Sequence, residues 1–258
     1  MISLKEALIR KNRTVDVDAI RKQEIVNFLK ENYLFFELGG TNNKQISYIH
    51  DIERYIEIDK NKVNVNCNIF LKNKLDNVTN NLFQFGKIKG HFICNYCNLK
   101  TFQNCPEYVE GNFVGRGNNI TSLTGSPKIV ENVFDCSYSN SLRSLEGSPD
   151  KVNCYMCYCC NKLKTLQGIT QNISQCINCD ACLLLTDLEG ISDKFDGFIA
   201  CGFIFSLKGC PKNASIYINI ISIHKPLIKG IDKIDPKKIK KRIPIKYQKI
   251  FNSVDLSI

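Results

Sequence analysis

The chain has few of the residues on which most enzyme sites depend. Its 258 residues include no Trp, 2 Met and 3 His, so imidazole chemistry has little to draw on. His50, His91 and His224 are far apart in the sequence, and none lies beside a Ser or Cys motif of the hydrolase type. We therefore expect a protein that is not an enzyme and that uses no cofactor.

Long apolar segments are absent as well. No stretch approaches the ~18 uncharged apolar residues of a membrane helix, and seven of the first twenty positions are charged, which excludes a secretory apolar segment there. We expect a cytoplasmic protein that does not associate with membranes. Hydrophobic residues nevertheless make up 43% of the chain, which is enough to bury a sizeable core.

Two residue types are abundant: Cys throughout the chain and Lys near the C terminus. Fourteen Cys in a chain of this length do not fit a small secreted disulfide scaffold. We expect free thiols that are buried as small hydrophobic side chains in a reducing cytosol. The net charge of +10 is concentrated in residues 225–249, which hold ten Lys or Arg against two Asp. The basicity therefore belongs to a tail.

A repeat of about 21 to 22 residues runs through the middle of the chain. Each copy has a short alternating stretch, an apolar four-residue block and a turn that contains Gly or Pro. One such turn cannot bury its apolar face alone, but parallel strands stacked about 4.8 Å apart make a continuous core. The pattern predicts a solenoid whose neighbouring parallel strands are residues 92–94, 113–115, 134–136, 155–157, 177–179 and 199–201.

The pattern resembles the leucine-rich repeat family in its short bacterial form. Residues 113–123 carry it, with Asn118 at the Asn/Cys position, although Gly115 occupies an apolar position. Later copies have one extra residue, so the Asn/Cys position falls on either of two residues in each: Ser139 or Asn140, and Cys160 or Asn161. The resemblance covers residues 63–220 and implies stacked short strands with irregular returns and a role in binding.

A second resemblance is to Cys-containing repeats of bacteriophage-encoded proteins. This resemblance rests on a Cys in the strand, followed by an apolar block and then by Gly and Pro. Residues 120–123 with Gly125 and Pro127 are one example of the block and its turn. It implies a protein that acts in the cytoplasm of a bacterial host, against a component of host defence.

The two ends of the chain differ from the repeats, as the ends of a solenoid do. We expect an N-terminal cap over residues 1–62, a solenoid of about seven turns over 63–220 and a basic C-terminal cap over 221–258. The caps are predicted to contain helices at 3–10, 16–33 and 236–242 and a hairpin at 55–66.

Several Cys have the spacing of zinc or iron–sulfur ligands. The repeat offers a second explanation, because it places Cys at one inward strand position in turn after turn. We therefore expect buried, reduced, metal-free thiols at these positions, with Cys159 in an outward position as the most reactive thiol. The inward column is Cys94, Cys136, Cys157, Cys179 and Cys201.

The outward strand positions carry Tyr, Met, Arg and Asp side chains, a mixture that is typical of recognition surfaces. We expect this strand face to bind a protein partner, and a solvated sheet without a ligand is the alternative. The residues predicted to bind are Arg116, Asp135, Tyr138, Met156, Tyr158, Asn178 and Asp180.

The basic tail gives a second hypothesis, the capture of a small anionic ligand such as a nucleotide signal. Such a ligand would be held by Arg116 or by the cluster Lys240, Lys241 and Arg242. Nucleic acid is disfavoured as a partner, because between Lys225 and Lys249 the tail offers only Tyr247 for stacking and a single Arg.

Overall fold

The computed structural model describes residues 16–39, 45–75, 77–202, 204–218, 229, 236–240 and 243–253. Within these residues the chain forms a β-solenoid of about seven turns, with stacked parallel strands and few helices. The predicted solenoid is therefore confirmed, and the six alternating stretches are successive parallel neighbours. The predicted helix at 3–10 lies outside the described residues.

The first described element is helix α1 (Val17–Asn32), which matches the prediction at 16–33. It begins at Asp16, whose carboxylate accepts a hydrogen bond from the backbone N–H of Ala19 at 3.0 Å and so caps the helix. Its buried residues include Ile25 and Leu29, which pack into the main core at the start of the solenoid.

Fifteen strands of the described residues form one sheet. In chain order they are β1 (Tyr33–Gly39), β2 (Gln45–Ile49), β3 (Ile56–Asp59), β4 (Lys62–Val65), β5 (Asn68–Leu71), β6 (Gln84–Ile88), β7 (Phe92–Ile93), β8 (Tyr108–Val109), β9 (Phe113–Val114), β10 (Ile129–Asp135), β11 (Lys151–Met156), β12 (Ile173–Asn178), β13 (Phe198–Ala200), β14 (Ser215–Tyr217) and β15 (Ile239–Lys240).

The parallel strands make two columns that merge. The main column runs from β5 through β7, β9, β10, β11, β12, β13 and β14 to β15, and a second column contains β4, β6 and β8. Strand β10 pairs with both β8 and β9, and its pairing shifts between Val130 and Val133, where the chain passes from one column to the other.

The N-terminal end is closed by antiparallel strands. The hairpin of β3 and β4 confirms the prediction at 55–66. A second antiparallel pair, β1 with β2, attaches to the main column through β1 and β5 and was missed by the sequence analysis. Residues 33–36 are Tyr-Leu-Phe-Phe, and this uniformly apolar run shows no period of two that would mark a strand.

The inner face of the main column holds two registers of side chains. Phe92, Phe113 and Phe134 stack with ring centroids 5.6 and 5.2 Å apart. The next register is the predicted thiol column, all of whose members are buried in the main core. Gly115 replaces Cys in this register because a Cβ there would lie 2.7 Å from the ring of Phe102.

The Asn/Cys position lies three residues after each member of the thiol column. The amide of Asn118 donates to the carbonyls of Cys94 at 2.8 Å and Gly115 at 3.0 Å and accepts from the N–H of Leu99 at 3.0 Å. The open choice in the later copies is settled in favour of Ser139 and Cys160. Both are buried, and the latter donates its thiol to the carbonyl of Cys136 at 3.4 Å.

Ser139 is too short for this position. Its Oγ is buried and has no hydrogen-bond partner among the described residues. We expect Asn118→Ala to lower the free energy of unfolding by about 2–3 kcal/mol, because two carbonyls and one amide lose their partner. Ser139→Ala should leave the free energy unchanged or raise it by up to about 1 kcal/mol, because it removes an unsatisfied hydroxyl.

Urea denaturation of the two variants beside the wild type measures both effects. Equal losses in Asn118→Ala and Ser139→Ala would contradict the hydrogen-bonding role of this position, since packing alone would then explain it.

The corners between turns depend on glycine. A column of five glycines has φ between 76° and 114°, a range that other residues rarely adopt. At Gly147 a Cβ would lie 2.6 Å from the backbone carbonyl carbon of Leu123 in the preceding turn, so no side chain fits. The other members of this column are Gly125, Gly168, Gly190 and Gly209.

The predicted C-terminal helix at 236–242 is wrong where the chain is described. Residues Pro236–Lys238 form a 3₁₀ turn, and β15 then adds to the sheet parallel to β14. The open edge of β14 offers backbone partners, and Ile239 pairs in register with Ile216 over the core, whereas a short Lys-rich helix has neither advantage. A helix, α2 (Ile245–Ser253), begins only after Pro244.

Candidate functional site

The outer face of the main column is covered, in contrast to the open strand face that the sequence predicted. Asp135, Met156 and Asn178 are 0%, 3% and 7% exposed. A second apolar cluster lies on this face, and among the described residues α2 packs on it: the ring of Tyr247 stacks on Phe198 with centroids 4.6 Å apart. The prediction that these three residues face solvent is therefore wrong.

The physical reason lies in the register beside them. Cys154, Cys176 and Phe198 occupy one outer register, and Met156 and Ala200 occupy the next. A sheet that is apolar on both faces gains by covering both, at roughly 25 cal/mol per Å² of apolar surface removed from water. The period of two separates the faces correctly, but it does not say that one of them stays open.

Arg116 and Asp135 form a buried ion pair on this face. The Nε atom lies 2.6 Å from Oδ2, and the side chains are 12% and 0% exposed. The second carboxylate oxygen accepts from the backbone N–H of Ser137 at 2.9 Å. The pair thus balances the charge of Arg116 inside the protein, which weakens the hypothesis that this side chain captures an anion.

The exposed aromatic residues lie where the main column ends and the return begins. Tyr96 and Tyr138 are 60% and 40% exposed, and the half-buried Tyr158 packs against Tyr138 edge to face with centroids 5.2 Å apart. We name these three residues the tyrosine edge. Two predicted binding residues, Tyr138 and Tyr158, belong to it, whereas Tyr96 was not among the predicted residues.

The backbone of the tyrosine edge is strained. Tyr96 and Tyr138 have φ of 54° and 59°, in the left-handed region. In the intervening turn the same position is Gly117, with φ of 64° and the ring of Tyr96 lying over it. A residue other than glycine costs roughly 1–2 kcal/mol in this conformation.

Tyr138 and Tyr158 are uncharged at neutral pH. Burial raises the pKa of Tyr138, and the hydrogen bond with Cys159 and then burial raise that of Tyr158. Burial likewise raises the pKa of the half-buried Asp180, which lies beside Tyr158. Burial also raises the pKa of Cys159, so its thiol is not activated. The site offers ring faces and neutral hydroxyls, which suit binding better than acid–base catalysis.

Twelve of the fourteen Cys are free, including the whole predicted thiol column. Burial raises the pKa of Cys94, Cys179 and Cys201, which therefore stay protonated. The exception corrects the expectation of free thiols throughout: Cys154 and Cys176, directly paired on β11 and β12, form a disulfide with Cα atoms 4.7 Å apart. No group of three or more His, Cys, Asp or Glu in the described part is arranged to hold a metal ion.

Thiol titration checks this distribution. We expect the unfolded, unreduced protein to show twelve reactive thiols and the reduced protein fourteen. The variant Cys154→Ser should show thirteen reactive thiols both before and after reduction, because Cys176 is then free. Fourteen thiols without reductant would contradict the disulfide.

A polar column joins the first turns on the outer face. The Oδ1 atom of Asn68 accepts from the backbone N–H of His91 at 2.7 Å, and Nδ1 of His91 accepts from the N–H of Asn112 at 2.8 Å. The sequence analysis missed this role for His91, although His91 aligns with both asparagines just before the stacked core residues. The imidazole must be neutral to accept this bond, and burial lowers its pKa.

Because the pKa of His91 is lower in the folded protein than its ordinary value of about 6.5, the unfolded chain binds the proton more readily. We expect the contribution of His91 to stability to be present above pH 6.5 and to be lost as the pH falls further. Denaturation curves from pH 7.5 to 5.5 measure this slope. His91→Asn, which restores the acceptor of the neighbouring turns without titrating, should flatten it; an unchanged slope would rule His91 out.

Comparisons of the chain with family models, with curated proteins and with solved structures find no match. None of the described helices is long and apolar enough to cross a membrane.

Proposed function

We propose that the chain is a non-catalytic binding module that recognises a protein partner through the tyrosine edge. The observation that carries this proposal is the strained backbone beneath exposed rings. Gly117 shows that glycine fits this position, yet Tyr96 and Tyr138 occupy it at a cost of roughly 1–2 kcal/mol each. Cys159 and Ala181 have the same left-handed backbone in later turns, so it is the combination of this strain with exposed rings that supports a functional site.

The chemistry of the site favours a protein over a small anion. Tyr is enriched in the energetically dominant residues of protein interfaces because it combines a large apolar ring with a hydroxyl. The rings of Tyr138 and Tyr158 hold each other in place, so little side-chain entropy is lost on binding. Asp180 lies beside Tyr158 and Arg116 beside Tyr138, and these two partly exposed side chains supply polar groups at the rim of the same surface.

The resemblances in the sequence extend this proposal. The likeness to short leucine-rich repeats supports a binding role, and the likeness to bacteriophage repeats supports a partner in host defence, in the cytoplasm of a bacterium. The alternative remains a capture protein for a nucleotide held by the basic tail. In that tail Lys240 donates to the carbonyl of Lys237 at 2.7 Å, while Lys241 and Arg242 lie outside the described residues.

The key variant is Tyr138→Gly, which removes a ring and relieves the backbone at once. We expect its free energy of unfolding to be unchanged or higher, while the Kd for the true partner rises about 30-fold, equivalent to about 2 kcal/mol. The partner is obtained by crosslinking in native cells, and affinity is then measured with purified components. Phe205→Ala, which removes a 65% exposed ring elsewhere, is the matched control and should bind normally.

A nucleotide panel separates the two functions. A nucleotide at 100 times its Kd would raise the free energy of unfolding by about 2.7 kcal/mol, a visible shift in melting temperature. If a nucleotide produces this shift and Tyr138→Gly binds it normally, the tyrosine edge is not the site. The basic tail would then be the candidate nucleotide site.

A further inference from the structure

The N-terminal end of the sheet finishes in an edge strand without the usual protection. In the part of the chain that the structure describes, β2 pairs only with β1, so one side of its backbone has no strand partner. Edge strands are normally protected by charged residues, by Pro or by a bulge. β2 is Gln-Ile-Ser-Tyr-Ile, without charge or Pro, and its register with β1 is unbroken over five residues.

The side chains of β2 are open to solvent beside an apolar surface. Ser47 is exposed and Tyr48 is 50% exposed, while Ile46 is half-buried against the second apolar cluster. On β1, Phe36 is opposite Tyr48 and Leu38 is opposite Ile46. Phe36 belongs to the same cluster and Leu38 packs against it. The apolar cluster therefore continues to the rim of the sheet and ends there.

We propose that β2 pairs antiparallel with β2 of a second copy of this chain, which gives a two-fold dimer with a continuous sheet. A two-fold axis at Ser47 places Tyr48 of each copy opposite Ile46 of the other, a favourable aromatic and β-branched pair. No position in the strand brings like charges together, because the strand has none. The two apolar clusters then meet across the axis. This interface is separate from the tyrosine edge.

A charge exchange at the axis tests the proposal. Sedimentation velocity of the full chain at 50 µM should give twice the chain mass of 29.4 kDa. Ser47→Lys and Ser47→Glu each place like charges opposite one another and should weaken the dimer about tenfold or more. An equimolar mixture of the two variants should restore the dimer, because opposite charges then face each other.

The matched control is Asn132→Lys, which adds the same charge at an exposed position of the interior strand β10 and should leave the dimer intact. Melting temperatures of all variants confirm that each is folded. A monomeric wild type overturns the proposal. A dimer that survives both substitutions at Ser47, or that is not restored in the mixture, also overturns it, because the two-fold axis then lies elsewhere.

Discussion

Register between successive turns is the constraint on which the rest of the structure depends. Strands of two to seven residues are too short to be stable alone, so each turn relies on the hydrogen bonds and core contacts that it makes with the next. Side chains reinforce this register at two places. Asn118, Cys160 and Cys182 donate to backbone carbonyls of the preceding turn. In the polar column on the outer face, Asn68 and His91 instead accept from backbone N–H groups of the following turn.

The same constraint accounts for the unusual number of Cys. In five turns the inner register beside the stacked rings holds a buried Cys, and at Gly115 even a Cβ would lie 2.7 Å from the ring of Phe102. Cys fills that volume as a hydrophobe, and at the Asn/Cys position its thiol also donates a hydrogen bond, as Cys182 does to the carbonyl of Cys157 at 3.0 Å. One residue type thus serves two positions, and the repeat alone accounts for a spacing that resembles that of metal ligands.

The sequence predicts the features that repeat and misses those that occur once. The strand positions, the thiol column and the hairpin of β3 and β4 follow from local periodicity. The covering of the outer face does not, because α2, whose Tyr247 stacks on Phe198 of this face, has no counterpart in the repeat. Strand β15 was missed for a related reason: its stability comes from the open edge of β14 and not from its own residues.

The candidate site shows the same division. Tyr138 and Tyr158 can be selected from the sequence because they recur near the strand ends. The strained backbone of Tyr138 and the contact between the two rings follow only from the three-dimensional structure. Coverage of the outer face also changes where recognition can occur. With both faces of the main column buried, the surface nearest the predicted strand face that still exposes large aromatic side chains is the turn after each strand. There the repeat fixes a left-handed backbone, which Gly117, Cys159 and Ala181 also adopt. The exposed rings that Tyr96 and Tyr138 carry at this position are what sets the tyrosine edge apart.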